Sequence, residues 1–358
     1  MPMSAIPGAV EVELRRFLDE RLPDVEEIGP PVAASAAYLR DFVLGGGKRF
    51  RPLYGWAGFV GAGGLAAGGE DPRAVLTAVS SLEFIQACAL VHDDIIDSSD
   101  TRRGNPTVHR AVETSHLSRG LRGDAAKFGR DVAILVGDLA LAWADDMWRD
   151  SGVSDSALRR AQGAWRGMRT EVIGGQLLDI TLEATGDESI ELADKVNRYK
   201  TAAYTIERPL HLGAALASAD EHTVAAFRGY GCDIGVAYQL RDDLLGVFGD
   251  SSVTGKPAGD DLREGKRTVL LSMALTALDG SDPAAARELR EKVGTVSDGP
   301  SLRRLADIIR SSGAVEGVEK RIEALTASGL RHLEEAGVDA AVAETLRELA
   351  IKSTARRA

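Results

Sequence analysis

Only two cysteines, Cys88 and Cys232, occur in 358 residues. That is too few for a disulfide framework, and both sit in apolar helical stretches, where buried free thiols in a reducing compartment are expected. No uninterrupted run of about 18 apolar residues exists, so no membrane-spanning helix is expected. The start, MPMSAIPGAVEVELRRF, lacks a basic segment followed by an apolar one. A cytoplasmic protein is expected. Positive charge is outnumbered, with 43 Lys and Arg against 54 Asp and Glu, a net charge of −11. Phosphate backbones demand a basic field, so a nucleic-acid partner is not expected. Proline is sparse and β-branched alternation is scarce, which argues against a sheet protein.

Alanine and the helical period fill the space those absences leave. Apolar residues make up 44% and charged residues 27%, proportions that support a packed core without metal or disulfide. Asp71–Asp97 reads as one long helix, capped by Asp71 with Pro72 in its first turn. Further helices read at about 32–44, 127–149, 154–183, 188–218, 222–249, 266–278 and 300–350. The last must break, and Ser312-Gly313 and Gly337 are its joints. No long linker and no fixed-period repeat interrupts the chain. The expectation is an all-α, single-domain helical bundle over 1–358, with its motifs in 40–270 and further helices in 271–358.

Two acidic clusters sit where helices tolerate them poorly. In Val91-His92-Asp93-Asp94-Ile95-Ile96-Asp97, Asp93 and Asp97 are four residues apart and share a helix face. Carboxylates near a helix C-terminus oppose the macrodipole and repel one another, so a hard divalent cation is the expected counter-charge. The second cluster, Gln239-Leu240-Arg241-Asp242-Asp243-Leu244-Leu245-Gly246, lies near the end of an apolar helix and should be half-buried. Two such helix ends facing each other across a cavity would hold several Mg²⁺ ions. A solvated helix end explains a lone Asp-Asp pair more simply, but not two such clusters followed by basic loops.

Those basic loops alternate with the acids. Asp100-Thr101-Arg102-Arg103-Gly104-Asn105-Pro106 puts two arginines on a turn just after the first cluster. Gly45-Gly46-Gly47-Lys48-Arg49-Phe50-Arg51-Pro52 is glycine-rich and cationic, but lacks the spacing of a P-loop. Lys256 and Lys266 follow the second cluster, and Lys200-Thr201 lies in a helix-forming stretch. Each lysine alone reads as a surface charge. Together they describe a site for diphosphates bridged by metal.

These segments resemble the trans-isoprenyl diphosphate synthases of the polyprenyl synthetase family, geranylgeranyl diphosphate synthases in particular. The resemblance rests on GGGKRFRPL (45–53), LVHDDIID (90–97), DTRRGNPTVH (100–109), GGQLLD (174–179), YKTAAY (199–204) and YQLRDDLLGVFGDSSVTGKPAGDDLREGKRT (238–268), in the family's order and spacing. It implies helices around a deep central cavity, a homodimer, and Mg²⁺ as cofactor, about three ions once substrate is bound. It implies head-to-tail condensation of isopentenyl diphosphate with an allylic diphosphate of C5 to C15. By motif position, Asp93, Asp97 and Asp242 are the implied metal ligands. Lys200, Lys256 and Arg102 are the implied contacts of the allylic diphosphate, with Lys266 near them. Lys48, Arg51 and Arg103 are the implied isopentenyl diphosphate clamp, joined by Gln86. Thr201 and Gln239 are the implied polar oxygens near the reacting carbons. One departure stands out, because the family's second motif ends in an aspartate where this chain has Gly246.

Product length is expected to follow the helix above Asp93. Each isoprene unit adds roughly 5 Å, about three residues of rise. Cys88 and Ala89 are small where an aromatic would end the cavity early, so growth past C15 is expected. Ile85, Phe84 or a partner-helix residue would then stop it near C20. Farnesyl or longer products, a non-catalytic subunit of a heteromeric synthase, and a class I terpene cyclase are the alternative readings. A cyclase should carry a different second motif, and two cationic clamps favour two diphosphate substrates. A di-metal carboxylate oxidase needs two Glu-x-x-His motifs, and only Glu113–His116 fits.

Overall fold

The structure is a computed structural model that describes residues 1–66, 68–249 and 258–355. Its backbone is helical throughout except for one antiparallel pair of two-residue strands, Thr101–Arg102 and Asn105–Pro106. The chain divides into two compact units, Met1–Gly163 with Pro209–Ala219, and Ala164–Arg208 with Asp220–Ala358.

In the first unit the helices are α1 (Ile6–Ile28), α2 (Pro30–Leu44), α3 (Phe50–Gly61), α4 (Pro72–Ser80), α5 (Leu82–Ile96), α6 (Val108–Ser118) and α7 (Ala125–Arg149). α5 and α6 both pack along α7. Phe17 of α1, Phe84 of α5 and Trp143 of α7 meet edge to face, with ring centroids 5.3–6.3 Å apart. Burying a ring such as Phe84 stabilises the unit by about 2–3 kcal/mol. The helix read over Asp71–Asp97 is in fact two. Asp71 caps α4 by accepting from the Arg73 N–H at 2.9 Å, as its position suggests. The break falls at Ser81, where the hydroxyl donates to the Ala78 carbonyl at 2.6 Å and the preceding Ser80 bonds back to Leu76. Hydroxyls that compete for backbone carbonyls loosen the helical ladder there. The Pro72–Ile96 stretch is long and apolar enough to cross a bilayer, but 78% of its most apolar window is buried inside the protein.

The long helix α8 (Asp155–Thr185) carries the chain into the second unit. There α9 (Ile190–Val196) opens into a π-helix over Asn197–Glu207 before α10 (Arg208–Leu216). The sequence suggested one regular helix across 188–218. π turns are rare, mostly single, and concentrated at functional sites. The 28-residue α11 (Glu221–Phe248) is the axis of this unit, with the π segment and the Ala314–Glu335 helix packed along it. Ala237, Leu240, Leu244, Leu271, Leu275 and Ile322 are buried between these elements. The C-terminal helices end at Ser311 and Glu335, next to the two joints expected from Ser312-Gly313 and Gly337.

Candidate active site

The first acidic cluster ends α5, and its three carboxylates have different surroundings. Asp93 and Asp97 are half-exposed, whereas Asp94 between them is 1% exposed. Arg102 reaches back from the hairpin, donating through Nε to Asp94 Oδ1 at 2.7 Å and through a terminal nitrogen to Asp93 Oδ2 at 3.3 Å. Burial pushes the Asp94 carboxyl up to about 6, against the pull of Arg102 and with a further push from Asp93 and Asp97. Its Oδ2 is buried without a hydrogen-bond partner.

The hairpin that carries Arg102 is a tight two-residue turn. Arg103 and Gly104 both have positive φ, 54° and 77°, as a type I′ turn requires, and Arg102 pairs with Asn105 across it. Glycine takes that conformation freely, but for Arg103 it is strained, and strained residues cluster at functional sites. The Arg103 guanidinium donates to the Gly46 carbonyl at 2.6 Å, fastening the hairpin to the glycine loop. Burial lowers its proton affinity, and Arg49, Arg51 and Arg102 add to the effect, with Glu83 the opposing charge. Glu83 itself is buried and bound to Arg49 at 2.5 Å, while Arg51 is buried on α3 and Lys48 lies 5.5 Å from the Phe50 ring centre. Two of the segments expected to grip a diphosphate thus meet in one cationic cluster. Buried guanidiniums crowded on one carboxylate are held ready for further anion charge.

Along α5 the half-exposed face runs through Gln86, Ala89, Leu90, Asp93 and Asp97. Of the residues expected to set product length, only Ala89 lies on it. Ile85 is buried, and Phe84 belongs to the aromatic cluster of the core. Cys88 is turned towards His92, whose Nδ1 lies 3.7 Å from its sulfur. The other ring nitrogen of His92 lies 3.0 Å from the Ile134 carbonyl, so this histidine joins α5 to α7. Leu90, which the sequence reading passed over, shares the half-exposed face.

In the second unit, Lys200 and Thr201 project from the π segment. Gly175 of α8 makes room for it, because a Cβ there would stand 2.7 Å from the Lys200 Cα. Lys200 Nζ donates to Asp179 Oδ2 at 2.5 Å. The Gly-Gly-Gln-Leu-Leu-Asp segment therefore supplies both the clearance and the counter-ion for this lysine. The Thr201 hydroxyl donates to Gln239 Oε1 at 2.7 Å, and Gln239 Nε2 donates to Asp243 Oδ1 at 2.8 Å. This chain fixes which way the amide points, so the two polar oxygens expected near the reacting carbons do lie together. Asp243 is 3% exposed, and its other oxygen is buried without a hydrogen-bond partner. Burial drives its carboxyl well above the usual range, with Asp261 and Asp242 pushing the same way and Gln239 opposing. Asp242 is exposed at the adjacent position of α11. Lys266 lies before the helix that begins at Val269, 2.8 Å from Glu264 and 4.0 Å from Asp261. Lys256 lies outside the described residues.

The donor set suits Mg²⁺. Among the described residues, no three His, Cys, Asp or Glu side chains form a ready-made cage. Mg²⁺ does not need one, since it keeps several waters and is usually bound by one or two carboxylates together with phosphate oxygens. Buried carboxylate oxygens with no donor, on Asp94 and Asp243, mark both clusters as short of positive charge.

Comparison with known proteins agrees with this chemistry. Residues 33–307 match the model of the Polyprenyl synthetase family. A geranylfarnesyl diphosphate synthase of Aeropyrum pernix is 35% identical over 310 residues, 85% of this chain and 88% of that one. A geranylgeranyl diphosphate synthase of Mycobacterium tuberculosis is 32% identical, over 87% of this chain and 85% of its own. Among solved structures, a geranylgeranyl pyrophosphate synthase from Corynebacterium glutamicum, complexed with isoprenyl diphosphate and magnesium, is 57% identical with a TM-score of 0.96, each chain covered completely. The chain belongs to the polyprenyl synthetase family.

Proposed function

We propose that this trans-prenyltransferase condenses isopentenyl diphosphate with allylic diphosphates of C5 to C15, releases geranylgeranyl diphosphate (C20), depends on Mg²⁺ and works as a homodimer. The observation that carries this reading is the latch in the first unit. There the Asp93–Asp97 face, the Arg102-Arg103 hairpin and the glycine loop are bound into one array of carboxylates and guanidiniums. Carboxylates beside crowded arginines suit a ligand that carries its own negative charge and brings a metal with it.

Bound Mg²⁺ would draw off the charge that builds on the departing diphosphate. In this reading Asp93 and Asp97 hold metal in the first unit and Asp242 in the second. Arg102 leaves Asp93 and Asp94 for phosphate oxygens when substrate enters, and Lys200 does the same from Asp179. Both cations then act where charge develops, which favours the transition state over the ground state. Lys48, Arg51, Arg103 and Gln86 orient isopentenyl diphosphate so that its double bond meets the allylic carbon, which supplies several kcal/mol through orientation. Thr201 and Gln239 turn oxygen lone pairs to the electron-poor allylic carbon. No histidine serves as base, because His92 is committed to the α5–α7 seam, and the proton leaves to the diphosphate.

The C20 product follows from Ala89, a small residue on the half-exposed face one turn above Asp93, and from the relative that is 57% identical. The test supplies Mg²⁺, isopentenyl diphosphate and C5, C10 or C15 allylic diphosphate separately, then sizes the dephosphorylated products. C20 should accumulate from each starter and disappear without Mg²⁺. No turnover by the purified chain alone would instead favour a non-catalytic subunit, and a hydrocarbon from C20 diphosphate alone would favour a cyclase.

A further inference from the structure

Gly246 stands one helical turn beyond Asp242 on α11, where the second acidic motif lacks its last carboxylate. That space is taken. A Cβ built on Gly246 would overlap the Asp261 carboxylate and stand 2.8 Å from its Oδ1. Asp261 comes from a separate short helix, Asp260–Glu264, which is firmly seated. Leu262 is 2% exposed in the core of the second unit, and its carbonyl accepts from the Gly294 N–H at 2.8 Å. The Asp261 carbonyl accepts from the N–H groups of Gly265 and Lys266, at 3.1 and 3.0 Å, which closes the helix end. Beside this carboxylate, the buried Asp243 has an oxygen with no hydrogen-bond partner, and Lys266 approaches Asp261 within 4.0 Å.

We propose that Asp261 is a metal-positioning residue, supplying from another helix the third carboxylate that Gly246 does not carry. Glycine at 246 is then a requirement of the arrangement, because any side chain there would evict the carboxylate that replaces it. The role is to hold the water shell of metal bound at Asp242, not to touch the reacting carbons. Removing such an outer partner costs metal affinity by roughly 10–100-fold. This inference rests on the prenyltransferase reading only for its kinetic readout.

The test is a carboxylate swap in the full chain, comparing Asp261→Ala, the isosteric Asp261→Asn, Gly246→Asp, and Gly246→Asp combined with Asp261→Ala. Two measurements are made. One is the Mg²⁺ concentration that half-saturates the thermal stabilisation given by inorganic pyrophosphate, and the other is the Mg²⁺ dependence of turnover. Asp261→Ala and Asp261→Asn should each raise the Mg²⁺ midpoint about tenfold or more, while the product stays the same length. Gly246→Asp alone should also raise it, because two carboxylates contest one space. The double variant should return to within about threefold of the parent. An unchanged midpoint in Asp261→Asn, or a double variant no better than Gly246→Asp, overturns the proposal. If the parent protein turns over no allylic diphosphate, the proposed activity fails. The pyrophosphate midpoints would still decide the carboxylate swap.

Discussion

At the scale of single residues, the fine placement of side chains on α5 separates roles that the sequence could only group together. Ala89 is the member of its set that lies on the half-exposed face with Gln86 and Asp93. Ala89→Phe should therefore shift the main product from C20 to C15 with condensation otherwise intact, as read by chromatography of the dephosphorylated chains. An unchanged product spectrum would show that the alkyl tail grows elsewhere. Cys88, its neighbour in sequence, behaves quite differently. It is 9% exposed, and burial pushes its thiol up to about 12, with Asp138 adding to the effect. Because the folded value lies above the ordinary 9.0, the neutral thiol is the form the fold favours. That contribution to stability is complete below about pH 9 and is lost as pH rises towards 12. At pH 8 the thiolate fraction is on the order of one in ten thousand. Cys88 should therefore resist Ellman's reagent in the native protein and react quickly once guanidinium unfolds it, with peptide mapping to distinguish it from Cys232. Rapid native labelling of Cys88 would contradict its burial.

Among the secondary-structure elements, the π segment is the one on which the second half of the site depends. α11 can lie against it because Gly235 leaves room, since a Cβ there would stand 2.6 Å from the Ala202 Cα. Gly235→Ala must push the segment away and carry Lys200 and Thr201 with it. The expected cost is about 1–3 kcal/mol, read as a fall of several degrees in Tm. kcat should fall further than that loss explains, because the Thr201–Gln239–Asp243 chain would be misaligned, while KM for isopentenyl diphosphate stays near its starting value. Loss of stability with full turnover would detach the π segment from catalysis. Most helices were legible beforehand because apolar residues recur at three and four and because Asp71, Gly313 and Gly337 mark boundaries by simple chemistry. The helix break at Ser81 was not, since it depends on hydroxyls choosing backbone carbonyls over solvent. The π turns over Asn197–Glu207 were equally hidden, because hydrogen bonds one residue longer leave no distinct period in the sequence and depend on clearance from Gly175 and Gly235 in other helices. The same holds for the site. Asp93, Asp97, Arg102 and Arg103 announce themselves as a charge pattern within a dozen residues. The pairing of Asp179 with Lys200, and of Gly246 with Asp261, joins segments that only the folded chain brings together.

For the molecule as a whole, charge and exposed apolar surface together bear on assembly. A net charge of −11 repels copies of the chain at long range, so association must rest on a local apolar surface. The first unit offers one. Leu117 at the end of α6 and Leu135 on α7 are each 66% exposed, and Ile134 and Phe128 on α7 also face outwards. The Phe128 ring lies 5.0 Å from the His116 ring, so these residues extend across the α6–α7 seam instead of standing singly. Outward apolar residues on two packed helices are the composition of an interface core. Light scattering should accordingly give about 76 kDa, twice the 38.0 kDa of one chain. Phe128→Glu combined with Leu135→Glu should reduce this to one chain's mass with unchanged far-UV circular dichroism, because neither side chain is buried within its own unit. A parent protein of 38 kDa at micromolar concentration would sink the dimer. A double variant that stays dimeric would move the interface off these two helices, leaving Ile173, Leu177 and Ile180, the exposed apolar residues of α8, as the next surface to charge.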